Sequence, residues 1–586
     1  MSNLILNFNN KKIKKIKNPK YILGGKGSNL AEMGRLGLPV PPGFIISTEV
    51  CKLFYKNKKR LPKQVLKSIQ LELKTIEKLT SRKFGDLKNP LLVSVRSGAR
   101  VSMPGMMDSI LNLGLNDQTV KALAKKTGNG RFAKESYRRF IQMYSNVVLN
   151  IEGHLFEGMI DSQKLNKGVL LDTELEENDW DELIQRFKEL VKKQTKKKFP
   201  QSVQEQLYGA ISAVFLSWDS QRAKTYRKLN QIPDHWGTAV NVQSMVFGNM
   251  GNGCSTGVVF TRNPSTGKNI FFGEYLINAQ GEDVVAGTRT PQHITKKAKE
   301  NDNSKEKSME EAMPKVFQDL KKILYKLEKH YKDMQDVEFT VENNKLWILQ
   351  TRSGKRTAEA GIKIAVDMVR EKLISKKRAI LRIDPNTLDT LLHQTLDKKA
   401  ERKIIAKGLP ASPGAASGKV VFLAEEAERL NGMMQNTILV RVETSPEDIH
   451  GMHAAKGVLT ARGGMTSHAA VVARGMGRPC VAGSSEITID YNLKQFKSGE
   501  TVVKEGDIIT IDGASGEVML GTVPTIQPKI SGYFSTIMSW ANEFRKLKIR
   551  TNAETEKDSK VARDFGAEGI GLCRTEHMFF DQERIL

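Results

Sequence analysis

A chain of 586 residues, 39% hydrophobic and 27% charged, has the composition of a folded water-soluble protein, and its length suggests three or four domains. No apolar run approaches the ~20 residues that span a bilayer, residues 1–20 lack the apolar stretch of a signal peptide, and the four cysteines lie far apart. We therefore expect a cytoplasmic protein without membrane contact. The formal net charge of +27 suggests nucleic acid as a possible partner. The lysines, however, are scattered along the chain and no aromatic residues are interleaved with them, so we expect that they lie on solvent-exposed faces of helices and do not form a nucleic-acid-binding surface.

The first feature in chain order is Gly24–Asn29, with the sequence GGKGSN, which precedes an apolar helical run starting at Leu30. Glycines let backbone N–H groups approach a phosphate closely, and Lys26 adds a positive charge, although a GGKG alone is a weak signal. Arg96 follows the short apolar strand Leu91–Val95 and could bind a phosphate or form an ordinary surface ion pair. Residues 101–108 (VSMPGMMD) suit a loop that closes over a nucleotide, or a plain turn.

Helical spacing dominates from Asp117 to Asn230, and strands are predicted from Thr238 to about Gly287. Two further strands, predicted over 336–341 and 345–350, are joined by the turn sequence ENN. Alternation along the strands places Asp336 and Glu338 on one face of the first strand, and Gln350 and Arg352 on one face of its partner. Oxygen ligands and an arginine that converge in this way fit Mg²⁺ and a triphosphate, whereas each residue alone would be read as a surface charge.

A helical, charged stretch over 358–399 predicts a linker or a small helical unit with little burial, and a β-rich region follows from 401 to 523. Within it, the helix Thr466–Gly475 begins after a strand and two glycines, with Thr466 or Ser467 as its cap and His468 in its first turn. A helix N-terminus favours a phosphoryl group on the imidazole and keeps the ring neutral and nucleophilic. The alternative is a structural histidine near a turn.

The segments GGKGSNLAEM, SVRSGARVSMPGMMDS, GNGCSTGVVFTRNPSTG, GEDVVAGTRTP and DVEFT…LWILQTR, in this order, resemble the ATP-grasp domain of the pyruvate, phosphate dikinase family. The resemblance implies that Lys26, Arg96 and Arg352 contact the ATP phosphates. It implies Mg²⁺ as cofactor, with Mg²⁺–ATP contacts from Glu338 and Gln350. It places adenine recognition near Asn241–Met245.

The segment GGMTSHAAVVARGMGRPCVAG resembles the phosphohistidine segment shared by this dikinase, phosphoenolpyruvate synthase and enzyme I of the sugar phosphotransferase system. The resemblance implies that His468 carries the phosphoryl group on Nε2, and that Thr466 is a phosphorylation site for a regulatory kinase. Enzyme I lacks an ATP-grasp domain ahead of its histidine, and the synthase lacks the SGARVSMPGMMDS character, so the dikinase fits best.

Two C-terminal segments, Leu547–Glu554 and Gly566–His577, resemble the opening of the family's phosphoenolpyruvate-binding barrel, in which Arg574 would contact the substrate phosphate. Residues 546–586 are far fewer than the about 250 that an eight-stranded barrel takes. We therefore expect the chain to stop before most of the barrel and to perform only the reactions with ATP and phosphate.

Taken together, the resemblance implies a multidomain α/β and α+β fold: an ATP-grasp domain, a small swivelling phosphohistidine domain and the start of a TIM-type barrel. The predicted boundaries are 1–355 for the nucleotide-binding domain (with a helical insertion at about 117–230), 356–400 for a helical linker, 401–523 for the phosphohistidine domain, 524–545 for a second linker and 546–586 for the barrel.

The implied reaction converts ATP, inorganic phosphate and pyruvate into AMP, pyrophosphate and phosphoenolpyruvate, in a protein expected to be a homodimer at full length. Three alternatives remain at this point: a phosphoenolpyruvate synthase-like enzyme, a non-catalytic nucleotide-binding remnant and a polyanion-binding protein.

Overall fold

The computed structural model describes residues 4–9, 13, 16–101, 103, 109–169, 172–286, 290–302, 304–388, 395–397, 400–526, 532–564 and 566–574. Most of the predicted nucleotide-closing loop at 101–108 and the end of the last barrel-like segment lie outside these residues. No helix in these ranges combines the length and the apolar character needed to cross a membrane.

The first part of the chain contains short strands, three helices and then a run of six helices. In chain order the elements are β1 (Ile5–Asn7), α1 (Pro19–Arg35), β2 (Gly43–Ile46), α2 (Thr48–Lys56), α3 (Lys63–Thr80), β3 (Lys83–Phe84), β4 (Pro90–Leu91), β5 (Val93–Ala99), β6 (Ser109–Leu113), α4 (Thr119–Thr127), α5 (Gly130–Val147), α6 (Gly153–Lys167), α7 (Glu177–Thr195), α8 (Val203–Ser217) and α9 (Gln221–Leu229). The helices α4–α9 confirm the helical spacing predicted between residues 117 and 230.

The next part returns to strands and ends in a long hairpin. Its elements are β7 (Thr238–Ser244), β8 (Ser255–Phe260), β9 (Phe272–Ile277), α10 (Gly281–Ala286), β10 (Gln292–His293), α11 (Lys296–Asn301), α12 (Met309–Ala312), α13 (Pro314–Tyr331), β11 (Gln335–Glu342) and β12 (Lys345–Ser353).

Two antiparallel five-stranded sheets organise this region, one in the order β1-β2-β7-β5-β6 and the other in the order β10-β9-β8-β11-β12. The helical region packs on the first sheet, where Phe132, Phe140 and Phe187 are fully buried with strand residues such as Val93 and Val242. The apolar face of α13 covers the second sheet together with α1. Helix α1 thereby stands between the two sheets and places its glycine-rich segment at their junction.

The hairpin of β11 and β12 was predicted correctly. Asn343 and Asn344 form its two-residue turn with positive φ values of 50° and 60°, the geometry that a tight hairpin requires and that asparagine tolerates. Asp336 lies opposite Arg352, and Glu338 lies opposite Gln350. The turn sets the register as far as Phe339 and Ile348, and a β-bulge between Glu338 and Phe339 then shifts it by one residue, which brings these four side chains into two facing pairs.

The predicted linker at 356–400 contains α14 (Ala358–Arg370), α15 (Lys376–Ile380), α16 (Pro385–Leu388) and β13 (Thr395–Leu396). The expectation of little burial is wrong for α14, whose Ile362, Ile364 and Val366 are buried against β8 and β9 residues in a core of their own. The charges that suggested exposure lie on the outer face of this amphipathic helix.

The β-rich region forms one eight-stranded sheet with a small three-stranded sheet beside it. Its elements are β14 (Lys403–Lys407), β15 (Leu409–Ser412), β16 (Ala415–Val421), α17 (Ala424–Gly432), β17 (Thr437–Arg441), α18 (Ile449–Ala454), β18 (Gly457–Thr460), α19 (His468–Met476), β19 (Cys480–Ala482), β20 (Ile487–Asp490), β21 (Gln495–Ser498), β22 (Thr501–Lys504), β23 (Ile508–Asp512) and β24 (Glu517–Leu520). The order of the larger sheet is β14-β24-β23-β16-β17-β18-β19-β15, and that of the smaller one is β20-β21-β22.

Strands β16 to β19 run parallel, and α19 connects β18 to β19 as a crossover helix. The N-terminus of α19 consequently opens at the carboxyl end of β18, which is where ligands bind in parallel sheets. We call the region of these two sheets and their helices, residues 403–520, the histidine module.

The end of the described chain contains β25 (Thr525–Ile526), α20 (Gly532–Phe544), β26 (Arg550–Thr551), α21 (Glu556–Asp564) and β27 (Gly569–Ile570). Helix α20 packs on α14, and β25 pairs with β13, so the two segments that flank the histidine module lie together. Strands β26 and β27 are parallel and are joined by α21. The predicted domain boundaries and the barrel stay predictions.

Candidate active site at the junction of two modules

The glycine-rich segment lies inside α1, which begins at Pro19, and not before it. The helix is interrupted within this segment at Gly24, whose backbone is not helical (φ 68°, ψ 172°). A Cβ at Gly24 would lie 1.7 Å from the carbonyl oxygen of Gly98, so only glycine allows this close approach of α1 to β5. A Cβ at Gly27 would likewise come within 2.8 Å of the Asn241 amide oxygen. The two glycines bring Lys26 toward the end of β5 that carries Arg96.

Strands β11 and β12 present the predicted acid and arginine side chains to the same place. Arg352 Nε donates to Asp336 Oδ2 at 2.7 Å, and Gln350 Nε2 donates to Glu338 Oε1 at 3.1 Å. Arg96, from the other sheet, donates to Glu338 Oε2 at 3.2 Å. The structure thus brings together the side chains of Arg96, Glu338, Gln350 and Arg352. Arg96 is more than 240 positions away from the other three in the sequence.

Electrostatics in this cluster favour an anionic ligand. Burial, followed by the charges of Arg96 and Arg352, lowers the pKa of Lys26 to about 7, while Glu338 acts in the opposite direction. Burial tends to raise the pKa of Glu338, but Arg96, Arg352 and Lys26 together hold it below the usual range. Burial and the two neighbouring arginines both disfavour the charged form of Lys26, and a bound polyphosphate would supply the negative charge that offsets them.

Two oxygen atoms in the cluster are left for a further ligand: Asp336 Oδ1 and Gln350 Oε1 are buried and have no hydrogen-bond partner. Oxygen ligands of this kind suit Mg²⁺. No group of three or more His, Cys, Asp or Glu side chains that could hold a metal occurs in the described ranges. The residues present therefore fit a hard divalent cation such as Mg²⁺, which Asp336 Oδ1 and Gln350 Oε1 would help to hold.

A cavity of about 280 Å³ adjoins the cluster, and Arg96 and Glu338 are among the residues that line it. Gln243, Ser244 and Met245, from the end of β7 and the residue after it, line the cavity. The resemblance placed adenine recognition near Asn241–Met245. Asn241 itself does not line the cavity, because its side chain is buried between α1 and β5.

His468 is the first residue of α19, as predicted, and the side chain of Ser467 caps the helix by accepting a hydrogen bond from Ala470 N at 3.4 Å. Its Nδ1 is 3.1 Å from Thr444 Oγ1, and its Nε2 is buried without a hydrogen-bond partner. When Nδ1–H donates to Thr444, the lone pair resides on Nε2. Burial lowers the pKa of His468, which keeps the ring neutral and Nε2 nucleophilic.

The histidine module is docked against the second five-stranded sheet, to which β9 belongs. Glu274 on β9 accepts hydrogen bonds from the backbone N–H of Met465 and from Thr466 Oγ1, both at 3.3 Å. Thr466 is therefore buried at the contact between the two parts of the chain. Helix α19 lies close to the end of β12, since Lys355 Nζ would be 3.4 Å from a Cβ on Gly475.

Arg574 lies apart from this site, at the end of the chain that the structure describes. Its NH1 donates to Glu554 Oε1 at 3.0 Å, beside the parallel pair of β26 and β27. The structure therefore gives Arg574 a carboxylate partner that follows the neighbouring strand, and does not bring it to the cluster around Glu338.

Comparison with known proteins gives three matches that cover most of the chain. The family model "Pyruvate phosphate dikinase, AMP/ATP-binding domain" matches residues 20–83 and 57–373. The model of the mobile domain of PEP-utilising enzymes matches residues 433–516, and that of their PEP-binding domain matches residues 528–586. The chain belongs to the pyruvate, phosphate dikinase family.

Individual members of the dikinase family are similar along nearly the whole chain. The pyruvate, phosphate dikinase of Rhizobium meliloti (strain 1021) is 56% identical over 563 residues, which are 96% of this chain and 63% of that protein. That of Clostridium symbiosum is 54% identical over 97% of this chain and 64% of its own length. The chloroplastic enzyme of Flaveria trinervia is 52% identical over 97% of this chain. The chain thus spans less than two thirds of these relatives.

Three residues of this dikinase-family site were missed from the sequence: Thr444 beside His468, Glu274 beneath Thr466, and Lys355 beside Gly475. Each of these residues reaches the site through a contact with a distant segment of the chain, and none belongs to a sequence motif that would mark it. Lys355 alone had a local signal, since it follows Arg352 by three positions in the segment TRSGKRT.

Proposed function

We propose that this chain phosphorylates Nε2 of His468 from Mg²⁺–ATP by way of a pyrophosphoryl intermediate, in the half-reactions of a pyruvate, phosphate dikinase that use ATP and inorganic phosphate. The observation that carries the proposal is the unpartnered, buried Nε2 at the start of α19, on a module docked beside the cluster of Lys26, Arg96 and Arg352. The fold assignments that go with it are an ATP-grasp domain for 1–355 and the opening of a barrel for 546–586.

In the first step Nε2 of His468 attacks the β-phosphorus of ATP, and the bond from that phosphorus to the bridging oxygen of AMP breaks. The electron pair leaves with AMP, and a pyrophosphoryl group remains on the histidine. Lys26, Arg96 and Arg352 hold the negative charge of the transferred oxygens, and most of the rate enhancement comes from this positioning and charge neutralisation. Mg²⁺, held through Glu338 and Gln350 by way of ATP, supplies further charge neutralisation when bound.

In the second step inorganic phosphate takes the terminal phosphoryl group and leaves as pyrophosphate, so that phosphohistidine remains. In the complete reaction, phosphohistidine passes its phosphoryl group to pyruvate, which yields phosphoenolpyruvate, with Arg574 on the phosphate of that product. The full-length protein is proposed to be a cytoplasmic homodimer.

His468 cannot reach both ends of this reaction in one arrangement, because Arg574 lies outside the docked site. The histidine module is therefore proposed to swivel between two positions. Thr466 is buried against Glu274 in the docked arrangement, so a regulatory kinase would reach its hydroxyl only after the module had left.

The experiment that tests the proposal is labelling with β-³²P-ATP and Mg²⁺, with and without inorganic phosphate, in the wild type, in His468→Ala and in His453→Ala. His453 is an exposed histidine of the same module and serves as the matched control. We expect acid-labile label in the wild type and in His453→Ala, no label in His468→Ala, and pyrophosphate only when phosphate is added. A protein that binds ATP but never labels would refute the proposal.

A further inference from the structure

The loop after β17 carries the Thr444 hydroxyl to His468, and Asp448 closes that loop. Asp448 Oδ2 accepts hydrogen bonds from the backbone N–H of Ser445 at 2.8 Å and from the Ser445 hydroxyl at 3.2 Å. Ser445 adjoins Thr444, whose Oγ1 lies 3.1 Å from Nδ1 of His468. The carboxylate therefore fixes the backbone next to the residue whose hydroxyl reaches the ring.

Asp448 is itself held by Arg441, the last residue of β17. Arg441 NH2 lies 3.2 Å from Asp448 Oδ1, and its NH1 donates to the carbonyl oxygen of Phe422 at 3.0 Å. The ring of Tyr491, in the turn between β20 and β21, lies 5.3 Å from the guanidinium carbon, and its hydroxyl accepts a hydrogen bond from the backbone N–H of Val442. Both oxygens of the buried Asp448 carboxylate are thus engaged, which fixes its orientation.

The charges that act on the His468 ring come from two parts of the chain. Burial is the largest cause of the lowered pKa of the ring, and among the charges Asp448 has the largest effect, in the opposite direction. Lys355, which follows β12, lowers this pKa, and Glu447 raises it. Glu447 is exposed and lies 3.6 Å from Arg222 on α9, outside the histidine module. Asp448 is therefore the buried carboxylate that favours a positive charge on the ring.

The four linked residues all belong to the histidine module: Arg441, Thr444, Asp448 and His468. Lys355 lies outside the module, so its opposing charge acts on the ring only in the docked arrangement. The Asp448 carboxylate keeps its place relative to the ring in any position of the module.

The ring gains a positive charge when it takes up a phosphoryl group. The lone pair of Nε2 forms the bond to phosphorus while the proton stays on Nδ1, so the neutral imidazole becomes a phosphoimidazolium. The electron pair of the broken bond between phosphorus and oxygen leaves with AMP. When the phosphoryl group departs, the pair of the bond between phosphorus and nitrogen returns to Nε2 and the ring is neutral again. A fixed anion in a site withdrawn from water stabilises the charge that develops in both directions.

We propose that Asp448, held by Arg441, is the positioning residue of the phosphoryl-carrying ring: it fixes the Thr444 hydroxyl against Nδ1 and offsets the positive charge of the phosphorylated His468. The inference rests on the proposed function and deepens it, since it names the group that supports the ring through transfer. The competing interpretation is an ion pair that only stabilises the loop. The two differ in the result of removing both partners, because that change leaves no unpaired charge but still takes the anion from the ring.

The test is a cycle of three variants with a matched control. Asp448→Asn removes the negative charge but leaves an amide oxygen that can accept from Ser445 N–H. Arg441→Met removes the positive charge, and the double variant removes both. Glu428→Gln, an exposed acid on α17, is the matched control.

Three quantities are measured for each protein. The first is the single-turnover rate of His468 labelling from β-³²P-ATP over a range of ATP concentrations, and the second is thermal stability. The third is the pKa of His468, obtained from the pH dependence of hydrogen exchange at the ring carbon between the two nitrogens, by mass spectrometry of the peptide that contains it.

We expect Asp448→Asn to label at least about tenfold more slowly at saturating ATP, with an unchanged half-saturating ATP concentration. The pKa of His468 should fall in this variant, because the anion that favours the charged ring is gone. The double variant should regain thermal stability but keep the low rate.

Three outcomes overturn the proposal. The first is an Asp448→Asn labelling rate within twofold of the Glu428→Gln control, and the second is a His468 pKa equal to that of the control. The third is a rate that follows thermal stability through all three variants, including its return in the double variant.

Failure of the proposed function itself is recognised separately, because the wild type then shows no label at His468. In that event the role of Asp448 is judged from hydrogen exchange alone, which needs no activity. A lower pKa of His468 in Asp448→Asn than in Glu428→Gln supports the role, and equal values refute it.

Discussion

Binding of ATP to this chain should be accompanied by uptake of a proton at Lys26. In the free protein, burial and two neighbouring arginines lower the pKa of this lysine to about 7. A bound triphosphate supplies the negative charge that the cluster lacks and returns the pKa toward the ordinary lysine value of 10.5. Because the bound state holds the proton more tightly, ATP affinity is greatest below pH 7 and falls as the pH rises through 7.

The magnitude follows from these two pKa values. At pH 8 the lysine of the free protein is about one-tenth protonated, so binding takes up about 0.9 proton, against about 0.2 proton at pH 6.5. The same linkage makes ATP binding about eightfold weaker at pH 8 than at pH 6.5.

Isothermal titration calorimetry in buffers of different ionisation enthalpy measures this uptake directly, with saturating Mg²⁺ so that ATP itself does not titrate in the range. Lys26→Arg is the matched variant, because a guanidinium stays charged at every pH used and should abolish the uptake. Equal uptake at pH 6.5 and pH 8, or unchanged uptake in Lys26→Arg, would refute the argument.

Three further predictions concern contacts outside the cluster. Thr444→Val removes the hydrogen-bond partner of Nδ1 and should slow the labelling of His468 by about tenfold in a rapid-quench assay, with recovery in Thr444→Ser; an unchanged rate contradicts the role of this contact. Glu274→Ala removes the acceptor that docks the histidine module, so the radius of gyration from small-angle X-ray scattering should increase, and an unchanged radius would exclude this contact as a determinant of docking. Arg262→Ala leaves its two glutamate partners unpaired and should lower the free energy of unfolding by roughly 3–5 kcal/mol in urea titrations, whereas Arg429→Ala, which breaks an exposed ion pair, should have a much smaller effect; equal effects would contradict it.

Sequence patterns predicted the parts of the site that are set by local geometry. The hairpin of β11 and β12 follows from strand alternation and from a two-residue turn, and both can be read from neighbouring residues, whereas the β-bulge that sets Asp336 opposite Arg352 was not predicted. The position of His468 at a helix start follows from two glycines and a capping serine. The hairpin and the helix start each depend on residues that lie close together in the sequence.

Contacts between distant segments could not be predicted in the same way. Thr444 follows β17 and His468 follows β18, and the two residues meet because these strands are neighbours in the sheet, an order that becomes known only when the chain has folded. In the sequence, Glu274 cannot be distinguished from any other charged residue of a strand. In the structure it is buried beneath Thr466, which lies almost 200 positions further along the chain. The burial of α14 was missed because its partners are strands β8 and β9, and composition alone does not reveal them.

The pairing of β13 with β25 makes the histidine module an insertion whose two ends lie side by side. Thr395 pairs with Ile526, and Leu396 pairs with Thr525, so the intervening chain leaves and returns at one point. A segment with adjoining ends can be excised, closed with a short peptide or given new termini without stretching its backbone. The module is thereby an interchangeable part, suited to being grafted between related proteins while its helix-borne histidine stays intact.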